Sequence, residues 1–285
     1  MELALGTVQF GLAYGIAGSG QAVPDQQVRQ ILATAKQHGV RTLDTASAYG
    51  DIEQRLADLC GDHDFNAISK IAPVPAELDG ATAAAWVLKQ AQQSRQRLGG
   101  RLKGLMLHRA DDLLDARTDR IWPALERWAA AEAVELGVSC YNPATCLHIR
   151  ERLPIQLAQL PGNAFDQRLP QALPSALPDL QVHLRSAFLQ GLLLINESVA
   201  AQRLPAAAPA LRRWHDWCTQ RDLTPLVAAL SVVKSFDAVA TVLVGVDSVT
   251  QLEQIVTAWA QARAIKAPEL VEQSLAVIDP RSWKQ

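Results

Sequence analysis

The sequence predicts an α/β fold built on a parallel sheet, and three observations carry this. Short runs rich in Val, Ile and Leu alternate along the chain with longer stretches of helical spacing, a pattern that implies parallel strands joined by helical crossovers. The chain has 285 residues, 49% of them hydrophobic and 20% charged, which is the composition of a globular protein with material for a large core. No segment has the length or composition of an interdomain linker, so residues 1–285 read as a single domain. A closed barrel and an open doubly wound sheet share this alternation, and periodicity does not separate them.

The elements follow in order. Strand-like runs fall at 3–7, 40–44, 67–70, 103–108, 134–139, 155–160, 182–186 and 239–246, about eight in all. Helical spacing occupies 51–59, 81–98, 119–131, 211–220, 225–234 and 249–260. A further helix is expected after Asn142-Pro143, a cap followed by proline at the first helical position. Two stretches are expected to be loop-rich. Residues 160–180 carry Pro161, Pro170, Pro174, Pro178 and Gly162, which predict loop and short helix. Residues 196–210 include an Ala/Pro-rich run that predicts a mobile surface loop.

Charge and composition exclude several classes. With 27 basic against 29 acidic side chains the formal net charge is -2, so no basic field attracts phosphate backbones or anionic lipid. Nucleic acid is not an expected partner. Cys60, Cys140, Cys146 and Cys218 show no metal-type spacing and read as reduced thiols, with no metal site. The N-terminus lacks a basic region before an apolar run, and no apolar stretch approaches the roughly 20 residues that span a bilayer. A cytoplasmic protein without membrane contact is expected.

In parallel α/β folds chemistry sits at the carboxyl ends of strands. Three of the predicted strands end in ionisable groups: Asp44, Lys70 and His108, with Tyr49 just after the first. Tyrosine is scarce here, with only Tyr14, Tyr49 and Tyr141 in the chain. A phenol, with a pKa near 10, is a poor acid or base at neutral pH, and a nearby ammonium stabilises its anion. A carboxylate keeps that ammonium charged and oriented, and a histidine can hydrogen-bond a substrate oxygen. Such a set is a tuned proton donor suited to carbonyl reduction. Taken singly, each residue has a plainer role: Asp44 as a cap, Lys70 as a solvated charge, His108 as a buried imidazole, Tyr49 as packing.

Residues 39–53, which run Gly-Val-Arg-Thr-Leu-Asp-Thr-Ala-Ser-Ala-Tyr-Gly-Asp-Ile-Glu, resemble the signature of the aldo-keto reductase family. Residues 5–11, Gly137-Val138-Ser139 and residues 243–246 resemble further family motifs, so the likeness spans roughly 3–255. The resemblance implies a TIM (β/α)8 barrel, and a catalytic set falling on Asp44, Tyr49, Lys70 and His108. Tyr49 is then the general acid toward the carbonyl oxygen, tuned by Lys70 and Asp44, with His108 positioning the carbonyl. The hydride comes from a reduced nicotinamide, and the reverse reaction is alcohol oxidation. The implied substrate is a small aldehyde, ketone or sugar, or the corresponding alcohol. The alternative is a regulatory barrel that binds the cofactor with little turnover.

The resemblance also implies a cofactor site. It takes in Thr7 and Asp44, with Ser139 and Gln159 on the carboxamide, and Cys140 where relatives carry Asn; a thiol is the weaker partner. Arg185 takes the place of an aromatic that stacks on the nicotinamide, which a guanidinium can also do. Residues 186–191, from Ser186 to Gly191, meet the pyrophosphate, unless they form an ordinary turn. After the last strand come Gly245, Val246, Asp247 and, further on, Gln251. The family default is NADP(H), but Asp247 and Gln251 stand where relatives place basic residues on the 2′-phosphate, which makes NAD(H) a serious rival. Asp247 has a second reading as the N-cap of the last helix. Tyr14, Arg109 and Tyr141 are candidates for the pocket mouth, Arg109 alternatively pairing with Asp111 or Asp112. The sequence leaves the oligomeric state open, with a monomer slightly favoured by the resemblance.

Overall fold

The computed structural model describes residues 1–12 and 21–283. Tyr14 lies outside the described residues. Eight parallel strands close in sequence order into one barrel: β1 (Glu2–Gly6), β2 (Thr42–Asp44), β3 (Asn66–Ile71), β4 (Leu102–Leu107), β5 (Glu135–Ser139), β6 (Leu157–Pro161), β7 (Gln181–Arg185) and β8 (Val239–Gly245). β1 closes the ring by pairing with both β2 and β8, Gly6 standing opposite Asp44 on one side and Gly245 on the other. This is the (β/α)8 architecture, and it settles the choice that alternation leaves open.

Helices wrap the outside, several of them through one apolar stripe. α1 (Asp25–Gln37) buries Val28, Ile31, Leu32 and Ala35. α2 (Ile52–Leu59) and α3 (Gly80–Leu98) follow β2 and β3, α3 starting where the Asp79 side chain accepts from the Thr82 amide. α4 (Thr118–Glu132) follows β4. α5 (Pro143–Arg152) begins at the expected Asn142 cap, whose side chain accepts from the Ala144 amide. Among the described residues, no helix is long and apolar enough to cross a membrane.

The two stretches expected to be loop-rich come out differently. Residues 160–180 hold a turn organised by Asn163, whose side chain accepts from the amides of Phe165 and Asp166, and the short α6 (Arg168–Ala172). Residues 196–210 are instead mostly helical: Asn196 caps α7 (Glu197–Arg203), and α8 (Ala208–Gln220) starts soon after. Ala200, Leu204, Ala207 and Ala210 are buried, so this stretch has an apolar face that composition alone concealed. α9 (Pro225–Val233) precedes β8, and α10 (Val249–Gln261) follows it. The chain then runs on through α11 (Leu275–Ile278), where Val277 and Ile278 are buried.

A buried carboxylate ties the outer shell to β3. Glu53 on α2 accepts from Ser69 Oγ at 2.5 Å, from Ser94 Oγ on α3 at 2.8 Å and from Arg97 Nη1 at 3.0 Å. Burial of a carboxylate is tolerated only when such partners replace water. Ser69 is the neighbour of Lys70, so this network fixes the strand that carries the lysine. Glu53→Ala leaves two buried hydroxyls without an acceptor and is expected to destabilise the fold by about 2–4 kcal/mol in urea unfolding. A loss below about 1 kcal/mol contradicts this role.

Candidate active site

The site forms at the carboxyl ends of the strands. Asp44 ends β2, Lys70 lies near the end of β3, and His108 directly follows β4, where its amide donates to the Ile71 carbonyl at 3.0 Å. The barrel brings these strand ends to one level. Lys70 Nζ donates to Asp44 Oδ1 at 2.8 Å, to Asp44 Oδ2 at 2.7 Å and to the Thr45 carbonyl at 2.9 Å. The side chains of this pair are only 1% and 7% exposed, so water does not screen it. Gln159 on β6 donates from Nε2 to Asp44 Oδ1 at 2.6 Å. Thr7 fixes the backbone of the same residue: its amide and its Oγ1 both donate to the Asp44 carbonyl, at 2.9 and 3.0 Å.

Tyr49 stands over this cluster. Its ring centroid is 5.6 Å from Lys70 Nζ and 5.9 Å from the His108 ring, which it meets edge-on at 82°. A close approach seats the loop: a Cβ at Gly11 would collide with the Tyr49 carbonyl, so only glycine fits there. The structure thus brings Asp44, Tyr49, Lys70 and His108 together.

Burial sets the protonation of this group. It pushes the Lys70 ammonium below the ordinary lysine value, against the opposing pull of Asp44. It lowers His108 to about 4, helped by the positive charges of Lys70 and Arg185. His108 is therefore a neutral imidazole at neutral pH, and its buried Nδ1 has no protein partner among the described residues. A second buried imidazole, His183 on β7, is lowered for the same first reason.

A cleft of about 380 Å³ opens beside the cluster, within the range of small-molecule sites. Of the residues expected at the cofactor, Asp44, Gln159, Arg185, Ser186, Gly191, Gly245, Val246, Asp247 and Gln251 line it, as does Tyr49. Lys70 and Thr7 are fully buried behind it, and Ser139 stands opposite Gln159 on the neighbouring strand. The Cys140 amide donates to the Gln159 carbonyl, and its thiol, beside Cys146 and buried, is pushed well above the ordinary thiol value. The wall after β7 is unusual backbone: Ser186, Leu189 and Gln190 have φ of 63, 48 and 57°, and Gly191 has 88°. Positive φ in residues with a Cβ is strained, and the segment closes as a turn in which the Leu189 and Gly191 amides donate to the Ser186 and Phe188 carbonyls, at 2.9 and 3.0 Å.

Ser248, not Asp247, is the N-cap of α10, its Oγ accepting from the Gln251 amide. Gln251 Oε1 accepts from the Asp247 amide at 2.7 Å, which folds that corner onto itself. Arg109 pairs with Asp112 Oδ1 through Nε and Nη2, at 2.8 and 2.6 Å, and donates to the Val74 carbonyl, so it braces two loops. Tyr141 is 38% exposed and carries two guanidinium groups over its ring. Gln9, Phe188, Gln190 and Gln254 also line the cleft. Phe188 and Gln190 fall within the 186–191 segment expected at the pyrophosphate, and Gln9 within a family-like motif; Gln254 carries no signal in the sequence.

The donor set suits a nicotinamide dinucleotide. Gln159 spends its amide N–H on Asp44 and keeps Oε1, and Gln9 Oε1 is buried without a partner among the described residues.

The lowered His108 sets a pH dependence of stability. The folded imidazole binds its proton less tightly than an unfolded one, whose pKa is 6.5, so between pH 6.5 and about 4 the unfolded state takes up more protons. Stability present above 6.5 is lost as pH falls through that window. His108→Asn is expected to lose about 1–2 kcal/mol less than the wild type between pH 7 and 4.5 in urea unfolding. Equal losses in the two proteins contradict the buried neutral imidazole.

Comparisons with known proteins agree with this geometry. The model of the Aldo/keto reductase family matches residues 2–270. No curated protein matches the chain. Among solved structures, the holo form of the aldo-keto reductase AKR11C1 from Bacillus halodurans superposes with a TM-score of 0.73 at 18% identity, covering 99% of this chain and 95% of that one. The glycerol dehydrogenase AKR11B4 from Gluconobacter oxydans gives 0.68 at 19% identity, covering 98% and 92%. At such identities the two structures speak for the fold alone. The match over nearly the whole length decides the family: the chain belongs to the aldo/keto reductases, oxidoreductases that interconvert carbonyls and alcohols with a nicotinamide cofactor.

Proposed function

We propose that this enzyme reduces a small aldehyde, ketone or sugar carbonyl, and runs the reverse oxidation, with Tyr49 as the proton donor and acceptor. The observation that carries this reading is the buried Asp44–Lys70 pair, whose ammonium lies 5.6 Å from the Tyr49 ring at a cleft wall. As the proton leaves Tyr49 for the carbonyl oxygen, negative charge grows on the phenolic oxygen. Lys70 stabilises that charge, and in a water-poor site the effect is large. Asp44 holds the ammonium in place and charged, and Gln159 and Thr7 hold Asp44. His108 is neutral, so it polarises the carbonyl as a hydrogen-bond donor and leaves protonation to Tyr49. A bound reduced nicotinamide supplies the hydride.

Ser139 and Gln159 are assigned to the carboxamide, the 186–191 backbone to the pyrophosphate, and Val246, Asp247 and Gln251 to the adenosine ribose. The cleft wall from Leu243 to Ile255 contains an acid and no Lys or Arg among its described lining residues. A 2′-phosphate placed there would stand beside the Asp247 carboxylate, whereas a 2′-hydroxyl can donate to it. We therefore assign NAD(H) as at least an equal of the family's usual NADP(H).

Tyr49→Phe tests both halves. It is expected to lower kcat by about a hundredfold or more while the NADH dissociation constant stays within about twofold. Titration of the wild type is expected to show NADH bound at least as tightly as NADPH. Undiminished turnover in the variant overturns the proton-donor role, and tenfold tighter NADPH binding overturns the cofactor assignment.

A further inference from the structure

The wall of the cleft carries a positive charge that the mechanism above does not use. Arg185 ends β7 and lines the cleft, and its Nη2 donates to the Cys140 carbonyl at 3.3 Å. Its guanidinium carbon lies 4.2 Å from the Tyr141 ring centroid. Arg281, brought back by the segment after α11, lies 3.6 Å from the same centroid. The two cations are thus within roughly 8 Å of each other, close enough to repel in a partly desolvated rim.

They differ in how they are balanced. Arg281 makes a two-pronged pair with Asp279, with Nε at 3.0 Å and Nη2 at 2.6 Å, and also feels the charge of Asp111. Arg185 has no such partner: among the described residues no carboxylate oxygen comes within the 4.0 Å of an ion pair. Deeper in the site, Lys70 and Asp44 cancel and His108 is neutral. One positive charge is left unbalanced, on a side chain held from two sides by the Cys140 carbonyl and the Tyr141 ring.

We propose that Arg185, with Arg281 beside it over Tyr141, receives an anionic group of the substrate, so that the preferred carbonyl compounds of this enzyme carry a carboxylate. The proposal rests on the reading of Tyr49 as the proton donor to a carbonyl in this cleft. A guanidinium presents paired N–H groups that match a carboxylate, and holding it in advance reduces the freedom lost on binding. An arriving carboxylate also relieves the repulsion between the two arginines. Arg109 is already spent on Asp112 and does not compete for this role.

The test compares 4-carboxybenzaldehyde with 4-methylbenzaldehyde, two aldehydes of similar size that differ in charge. With saturating NADH the wild type is expected to favour the carboxylate by about tenfold or more in kcat/KM, mainly through KM. Arg185→Met is expected to bring that ratio to within about threefold of unity, and Arg281→Ala to reduce it by a smaller factor. Calorimetric binding of the two aldehydes to the wild type gives the same discrimination without turnover. Equal binding overturns the proposal even where neither aldehyde is reduced, and loss of turnover for both points instead at the reading of Tyr49. Dissociation constants of NADH and NAD+ for Arg185→Met complete the set. A changed NADH to NAD+ ratio with an unchanged preference between the aldehydes overturns the proposal and places Arg185 at the nicotinamide ring.

Discussion

The ion pair between Asp44 and Lys70 is the constraint on which the site depends. Taking two charges out of water is unfavourable by several kcal/mol each, and mutual attraction offsets this only when the remaining hydrogen-bonding capacity is filled. Here it is filled from around the barrel. Lys70 on β3 is held by both Asp44 oxygens and the Thr45 carbonyl, and Asp44 on β2 takes Gln159 from β6 and its backbone takes Thr7 after β1. No local piece of the chain contains these groups. They meet because a closed barrel sets the ends of its strands in one ring, with β1 paired to β2 on one side and to β8 on the other. The outer shell serves the same pair: Glu53 grips Ser69 beside Lys70 from α2, and Gly11 lets the Tyr49 loop settle over the cluster.

Electrostatics then divides the cleft. The cluster beside it is balanced, with Lys70 against Asp44 and an uncharged His108. The cleft wall from Leu243 to Ile255 has an acid and no Lys or Arg among the described lining residues, while Arg185 adds a guanidinium to the wall after β7. The strained backbone of residues 186–191 lines the same cleft, with Ser186, Leu189 and Gln190 at positive φ. A net charge of -2 for the whole chain conceals this unevenness, because charge acts over a Debye length of about 10 Å and not over a whole protein.

Much of this was legible in the sequence, and the limits have physical causes. Alternating apolar runs located all eight strands to within a few residues, since each strand buries a short branched stretch. Closure was not legible from periodicity, because the pairing of Leu3 with Val242 leaves no local trace. α1 is masked in the sequence although Val28, Ile31, Leu32 and Ala35 recur at helical spacing, its four buried positions being outnumbered by a polar face. Residues 196–210 read as loop because Ala and Pro dominate them, yet Ala200, Ala207 and Ala210 are small enough to pack tightly and are buried. The order Asp44, Tyr49, Lys70, His108 was readable because each follows or ends a strand. Arg281 was not: its place over Tyr141 depends on how the segment after α11 returns, which no spacing encodes.

The central claim is that Lys70 acts on the reaction through Tyr49 and not on the substrate directly. A double-mutant cycle on kcat/KM with Tyr49→Phe, Lys70→Met and both together measures this. Serial action predicts that the double variant is no slower than Tyr49→Phe alone, within about threefold. If the two losses multiply, the lysine and the tyrosine act independently, and the account of the buried pair as the device behind the proton donor is contradicted.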